Sequence, residues 1–457
     1  MMFSEIFQRF VEQRPVPVMI QALLERVLSP GKLDAWFART AVDQYTRELL
    51  FSTIFKLMSS VVFKTHPSIN AAYQEEGESI GVSITSVYNK LDGLESTTSA
   101  ALVRDTAREK AAIVEAMGGQ CAPWLPGYRI KVLDGNCIEA TEHRLEVLRE
   151  TKAGALPGKS LVVYDPLSEM ATDVFPCEDA HAQERSLLAH VLPTVRENDV
   201  WLMDRNFCVR GFLLGIAGRK GCFVCREHKG LAFTILSPWR KIGTTESGKV
   251  YEQRIEIVDD EGEARRYRRV KVRLKKATRD GETDLFILTN LAKSAINAKL
   301  VAAIYRKRWR IETMFQELEA HLHSEINTLG YPKAALFGFC VALVAYNALA
   351  VVKAALRTLH GEEKIANDLS GYYLAGNIAR TYDGMTVAIP EREWIVFQNL
   401  SITEFARILL QLAANVNLAK FEKNRRGPKK PPPKRNRYSN HPHVSTAKLL
   451  EGKKPRE

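Results

Sequence analysis

The sequence predicts an α/β chain: a mixed sheet in the middle, interrupted by a β-rich insertion, with helical regions at both ends. Three segments carry that prediction. Tyr128, Ile130 and Val132 alternate as in a half-buried strand, and the run then meets Asp134 and a Gly turn. Val200 to Met203 form a short apolar run, as in a strand buried on both faces, and end on Asp204. Tyr305 to His323, YRKRWRIETMFQELEAHLH, reads as a helix with two adjoining stripes. Ile304, Ile311, Phe315, Leu318 and Leu322 make the core stripe. Tyr305, Arg308 and Glu312 stand at i, i+3 and i+7 and fall within roughly 60° of one another on an α-helix.

Taken in order, residues 1–120 read as mostly helical. Ser68 to Gln74 and Gly81 to Leu91 look like two helices with a turn. A helix-turn-helix there would direct Ser83, Thr85, Ser86, Tyr88, Asn89 and Lys90 towards DNA, and a plain helical bundle fits the same pattern. Residues 121–225 hold the strand ending in Asp134, a hairpin of Ser160–Asp165 with Met170–Phe175, and a helix from a cap at Asp179 through Leu192. The strand of Asp204, a helix over about 209–218 and a strand from Cys222 to Cys225 follow. Three strands, helix, strand, helix, strand is the order of the RNase H-like fold. The fold needs one more helix, predicted within 292–330. Before it, residues 226–291 read as β, with Lys249 to Val258 alternating and Arg266 to Lys275 carrying cations on both sides of its apolar positions, as suits a ribbon along DNA. Residues 331–420 read as helical again, with Ser401 and Glu404 spaced as a capping box.

An acid at the carboxyl end of a buried strand lies at the rim of an α/β sheet, where such folds place their sites. Asp134, Asp204 and Glu312 put three carboxylates on three elements able to converge. With the pattern Y-x2-R-x3-E formed by Tyr305, Arg308 and Glu312, and with "LDG", "MDRNF" and "FILTNL" around them, they resemble the DDE transposases of bacterial insertion sequences, and more narrowly the subgroup with the YREK signature. The similarity covers about residues 125–325. It departs at Glu319, which stands where the signature has Lys.

The resemblance implies a chain that binds terminal inverted repeats, cuts the DNA ends and joins them to target DNA, as a dimer on double-stranded DNA. Three converging acids repel one another unless a cation neutralises them. Oxygen ligands with few His or Cys nearby favour Mg²⁺ or Mn²⁺. Asp134 and Asp204 would be the firmest ligands and Glu312 the third, while Arg308 and Tyr305 would hold phosphate. A metal-dependent nuclease of the same fold without strand transfer is one alternative. A DNA-binding protein with a decayed site is another, kept open by Glu319.

At 457 residues the chain is too long for a single core. Its net charge of +12 is concentrated: from Lys420 to the end, 13 Lys and Arg stand against 3 Asp and Glu. Residues 421–457, with Lys429, Lys430, Lys434 and Arg435 in a Pro-rich setting, read as a flexible basic tail that contacts DNA or solubilises the chain. The opening MMFSEIFQRF has an early acid and no long apolar run, so no signal peptide is expected. Seven scattered cysteines suit reduced thiols in the cytoplasm, and the lone Cys222–Cys225 pair lacks a partner pair for structural zinc. Ala334 to Val352 is 19 residues without a charge, yet Tyr346, Asn347 and many small residues favour a helix buried in the fold over a membrane span.

Overall fold

The computed structural model describes residues 4–44, 48–259, 261–278, 281–424 and 442–452. Its centre is a mixed sheet built from the predicted strands. β1 (Arg129–Cys137), β3 (Lys159–Asp165) and β4 (Met170–Cys177) follow the short β2 (Gly154–Leu156), and β5 (Asp199–Met203) and β6 (Cys222–Arg226) come next. The spatial order is β4-β3-β1-β5-β6. β1 is antiparallel to β3 and β3 to β4, whereas β1, β5 and β6 run parallel. Three antiparallel strands followed by two parallel ones, in that order, make the RNase H-like sheet.

Both faces of this sheet are buried, and the alternation of each strand sorts its residues between two cores. Ile130, Val132, Val162, Val200, Leu202 and Val224 join the larger core with the helices Ser96–Ala116 and Pro332–His360. Leu133, Val163, Trp201, Met203 and Phe223 join the second core with the Arg210–Gly218 helix and short turns over 184–194. The helix expected from Asp179 through Leu192 is instead a broken series, 3-10 at Glu184–Leu187 and Leu192–Thr194 with one α turn between. Asp179 does not cap it. Its carboxylate accepts from the His181 N–H and pairs with Lys448.

The β-rich stretch does not stand apart. β7 (Thr234–Ile235), β8 (Arg240–Thr244), β9 (Gly248–Val258), β10 (Ala264–Leu274) and β11 (Asp284–Thr289) extend the same sheet, because β11 pairs antiparallel with β6. The Asn290 side chain reinforces this seam, accepting from Phe223 N–H at 2.8 Å and donating to Gly221 C=O at 2.9 Å. The arginines of β10 find partners in the sheet or just past its strands: Arg265 meets Asp259, Arg266 Glu256, Arg268 Glu252, Arg269 Glu227 and Arg273 Asp284. The arginines read as part of a DNA-facing ribbon are thus paired locally, and Lys271 lies over the Trp239 and Tyr251 rings.

The apolar stretch at 334–352 lies in the 29-residue helix Pro332–His360, and its most apolar window is wholly buried inside the fold. Asn347 explains its own presence there. Its amide accepts from Ala171 N–H at 2.9 Å and donates to Ala171 C=O at 2.7 Å. It acts as one residue of a neighbouring strand for β4, the edge of the sheet. The Ser401 capping box is present and opens the helix Ile402–Ala414.

The last described segment differs from the expected free tail. β12 (His443–Ser445) pairs parallel with β2, and Val444, Ser445 and Thr446 are buried. Lys429, Lys430, Lys434 and Arg435 lie outside the described residues.

Replacing Asn347 with Leu keeps the volume and strands two buried backbone groups of Ala171. The variant should lose about 1–3 kcal/mol of stability, read as a lower urea midpoint. A variant as stable as the wild type would show that the edge of β4 is satisfied some other way.

Candidate active site

The two aspartates are placed by register. The β1–β5 ladder ends at the pair Leu133 and Met203, so Asp134 and Asp204 are the next residues on two adjacent parallel strands. β1 continues along β3 past Asp134, whereas β5 stops. Asp134 follows Ile130 and Val132 by even steps, and Asp204 follows Val200 and Leu202. Both carboxylates therefore point to the face of the larger core. Backbone N–H groups orient them: Gly135 donates to Asp134 at 3.0 Å and Arg205 to Asp204 at 2.7 Å.

The third acid arrives on the helix that packs over that face. The predicted single helix is two, Ala298–Arg306 and Trp309–His321, with a tight turn between. Lys307 N–H bonds to Ile304 C=O, Arg308 N–H to Tyr305 C=O and Ile311 N–H to Arg308 C=O, all i to i−3. Such tightening eclipses residues three apart, so Tyr305 and Arg308 share one direction, inward. Ile304, Ile311, Leu318 and Leu322 are buried as the core stripe requires.

Arg308 is the centre of the site. It is only 6% exposed. One guanidinium nitrogen donates to Asp134 Oδ2 at 2.6 Å and another to Glu312 Oε1 at 2.6 Å. Tyr305 donates to Asp204 Oδ1 at 3.5 Å. The five residues singled out as catalytic or phosphate-holding thus converge.

Electrostatics match the packing. The Asp134 carboxyl is pushed up to about 6: burial raises it most, Glu312 and Asp204 add to that, and Arg308 and the Gly135 N–H pull the other way. Arg308 is itself raised above the ordinary guanidinium range: burial works against its charge, and Asp134, Tyr305, Asp204 and Glu312 outweigh it. Within this pair the net direction for Asp134 is upward, because burial, with Glu312 and Asp204 behind it, outweighs the guanidinium. Burial first, then Asp204, pushes the Tyr305 phenol up, so it keeps its proton.

The donor set suits a hard divalent cation: three carboxylates, a negative cluster, and no His at the site. Among the described residues no three His, Cys, Asp or Glu lie close enough together to hold one ion. The Arg308 guanidinium spans the space between Asp134 and Glu312. Asp134 and Asp204, neighbours at the ladder's end, would be the first to hold a metal, with Glu312 joining once Arg308 yields.

Lys90 does not join the carboxylates. It lies on the helix Ile84–Gly93, its ammonium 4.8 Å from the centre of the Phe37 ring. Before this helix, Gly81 adopts a left-handed conformation that ends the helix Ile69–Ile80, and Ser83, Thr85, Ser86 and Asn89 are exposed. Glu319 is exposed on the helix Trp309–His321 and adds to the charge that, behind burial, raises Glu325 to about 7. Arg308, one candidate counter-cation for it, is committed to Asp134 and Glu312. Sequence reasoning missed Glu184, whose carboxylate lies against Gly135 and accepts from Asn206. No local pattern marks it. It also missed Glu282, which pairs with Arg205 and Arg226 and ties the insertion to the Asp204 turn.

Removing Arg308 removes the chief influence holding Asp134 down. With its folded pKa raised from 3.8 to about 6, Asp134 binds an extra proton in the folded chain across that window. Its contribution to stability therefore falls as pH rises from about 4 to 6. In Arg308→Gln the fall should extend above pH 6, and the chain should lose about 3–5 kcal/mol at pH 8. Urea midpoints between pH 4 and 8 measure both, and an unshifted window would show that Arg308 is not the cation Asp134 depends on.

The transposase DDE domain family matches residues 125–348. A protein described as the putative transposase y4zB of Sinorhizobium fredii (strain NBRC 101917 / NGR234) is 24% identical over 197 residues, 42% of this chain and 52% of its own. The match thus spans about half the length of that curated relative. A piggyBac transposase solved by cryo-EM, in a synaptic complex with hairpin DNA, aligns over 89% of this chain and 86% of its own at a TM-score of 0.38 and 12% identity. That likeness is loose, and the fold assignment rests on the sheet itself.

Proposed function

We propose, for a chain that carries a transposase DDE domain over residues 125–348, that it binds the terminal inverted repeats of an insertion sequence, cleaves the DNA ends and transfers them to target DNA. The observation that carries this reading is the convergence of Asp134, Asp204 and Glu312 on one face at the end of two parallel strands, with Arg308 buried among them. A structural ion pair would need one acid for this arginine. Three acids exceed its charge, which is the balance a site for added cations and phosphate requires.

The residues would divide the work as follows. Asp134 and Asp204 would hold Mg²⁺ or Mn²⁺ with Glu312 as third ligand. Such ions supply charge neutralisation and activation of an attacking oxygen for phosphoryl transfer. Arg308 presents a planar fork, here spent on two carboxylates, that matches a phosphate equally well. Tyr305 keeps its proton and donates, to Asp204 or to a phosphate oxygen beside the cut. The exposed Ser83, Thr85, Ser86 and Asn89, with Lys90, form the surface we assign to recognition of the ends. Two ends must be held together for transfer, so a dimer on DNA is part of this reading, as is membership of the YREK subgroup and work in the cytoplasm.

Glu319 favours a second reading, a DNA-binding protein whose catalysis has decayed. One experiment separates it from the first, and from a nuclease without strand transfer: incubation with an inverted-repeat end, target DNA and Mg²⁺. The expected outcome is cut ends that become joined to target. Asp134→Ala, Asp204→Ala and Glu312→Ala should each abolish cutting and leave end binding within about threefold. Cut ends never joined would identify a nuclease, and binding without cutting a decayed site.

For the basic segment, deletion from Lys429 would also strip β12 from the fold, so charge substitution is the cleaner test. Replacing Lys429, Lys430, Lys434 and Arg435 with Gln should reduce the slope of log K against log[salt] for non-specific DNA by about 3–4, at roughly 0.9 per phosphate contact. An unchanged slope would remove these residues from the DNA contact.

A further inference from the structure

The β1–β5 ladder sets the two aspartates side by side but ends one residue before them, at Leu133 and Met203, so no backbone pair between these strands lies beyond that point. What spans the gap comes from the other side of the sheet. Asp134 and Gly135 are consecutive in a strand and point to opposite faces. On the face of Gly135, which belongs to the second core, stands Glu184, at the start of the 3-10 turn Glu184–Leu187. A Cβ added at Gly135 would lie 2.3 Å from Glu184 Oε1 and 2.7 Å from its carboxyl carbon. The other oxygen of the same carboxylate accepts from Asn206 Nδ2, two residues after Asp204. Arg185 adds a second tie, its Nε donating to Asn206 C=O at 2.8 Å. One short turn therefore touches the residue after the first aspartate and the residue two after the second.

We propose that Glu184 is a positioning residue that sets the separation of Asp134 and Asp204 from behind the sheet. It lies on the face opposite the carboxylates, so it acts through Gly135 and Asn206. The glycine of the "LDG" segment gains a reason: only a residue without Cβ lets the Glu184 carboxylate lie against the strand while reaching Asn206. The asparagine of "MDRNF" gains one too, as the donor that holds the far side. Partners behind a metal-ligating group typically change metal affinity by about 10- to 100-fold when removed. This inference rests on the metal-dependent reading above and is tested apart from it.

The test is Mn²⁺ binding to the DNA-free full chain, followed by electron paramagnetic resonance, beside Mg²⁺-dependent cutting of an inverted-repeat end. Glu184→Ala and Asn206→Ala should each weaken Mn²⁺ binding by about 10-fold while thermal melting stays close to wild type. Gly135→Ala should do the same by pushing the carboxylate off Asn206. The pair Glu184→Ala with Asn206→Ala should be no weaker than either single change, since one contact is lost once. Glu184→Gln, which keeps an oxygen for Asn206, should bind within about threefold of wild type.

Wild-type affinity in Glu184→Ala, or additive losses in the pair, would overturn the proposal. So would Glu184→Gln as weak as Glu184→Ala, which would make the charge itself a ligand, and so would a wild-type chain that binds no Mn²⁺. If the Mn²⁺ pattern appears and the chain cuts no DNA, the transposase reading fails and the positioning role stands. If ends are cut equally well by wild type and Glu184→Ala with equal Mn²⁺ affinity, the reverse holds.

Discussion

Arg308 sits where three carboxylates of one rim come together, and the surrounding structure is arranged to keep it there. Two unit charges about 4 Å apart near a protein surface interact by about 4 kcal/mol, so Asp134, Asp204 and Glu312 oppose their own assembly. A buried guanidinium answers two of them directly, at 2.6 Å each. The tight turn before Trp309 serves this contact. It points Tyr305 and Arg308 the same way, so that a phenol reaches one aspartate while a fork reaches the other. The Asp134 carboxyl is raised in the folded chain, by burial first and then by Glu312 and Asp204, with Arg308 opposing.

The sheet supplies the rigidity this arrangement needs. Parallel pairing of β1 with β5 delivers two aspartates side by side, and the same sheet continues through β11, β10 and β9. β11 leads through residues 290–297 to the helix carrying Tyr305, so the inserted strands hold the approach of the last helix to the first strand. Asn290 stitches the seam, and Glu282 reaches back to Arg205 beside Asp204. The long apolar helix Pro332–His360 backs the larger core and closes the far edge through Asn347. The elements that hold the site are thus spread over most of the chain.

Several parts were legible without coordinates. Alternation before Asp134 and the buried run before Asp204 identified two strands and their faces, because side-chain period is a local property of the backbone. The two stripes of the 305–323 segment identified which residues enter the core. The capping box at Ser401 and Glu404 was readable for the same local reason. The polar residues of the 334–352 stretch marked a helix inside the fold, and its window is buried.

Tertiary structure alone decided the rest. Helical periodicity assumes one uniform helix, so it could not show the turn at Lys307 and Arg308, which long-range pairing with Asp134 stabilises. Composition counted the arginines of β10 as free charge, whereas folding brings a carboxylate to each: Glu256 and Asp284 directly across the ladder from Arg266 and Arg273, and Asp259, Glu252 and Glu227 from farther off to Arg265, Arg268 and Arg269. A Pro-rich basic stretch gave no hint that residues beyond it return as β12 to pair with β2. Glu184 carried no local signal, since its meaning lies in two residues 49 and 22 positions away. By itself the sequence determined which residues have the chemistry and which face of each element they occupy, because both follow from neighbours in the chain. Which charges meet, and what holds them apart, depended on strand register and helix docking, which bring distant residues together through contacts that local sequence does not encode.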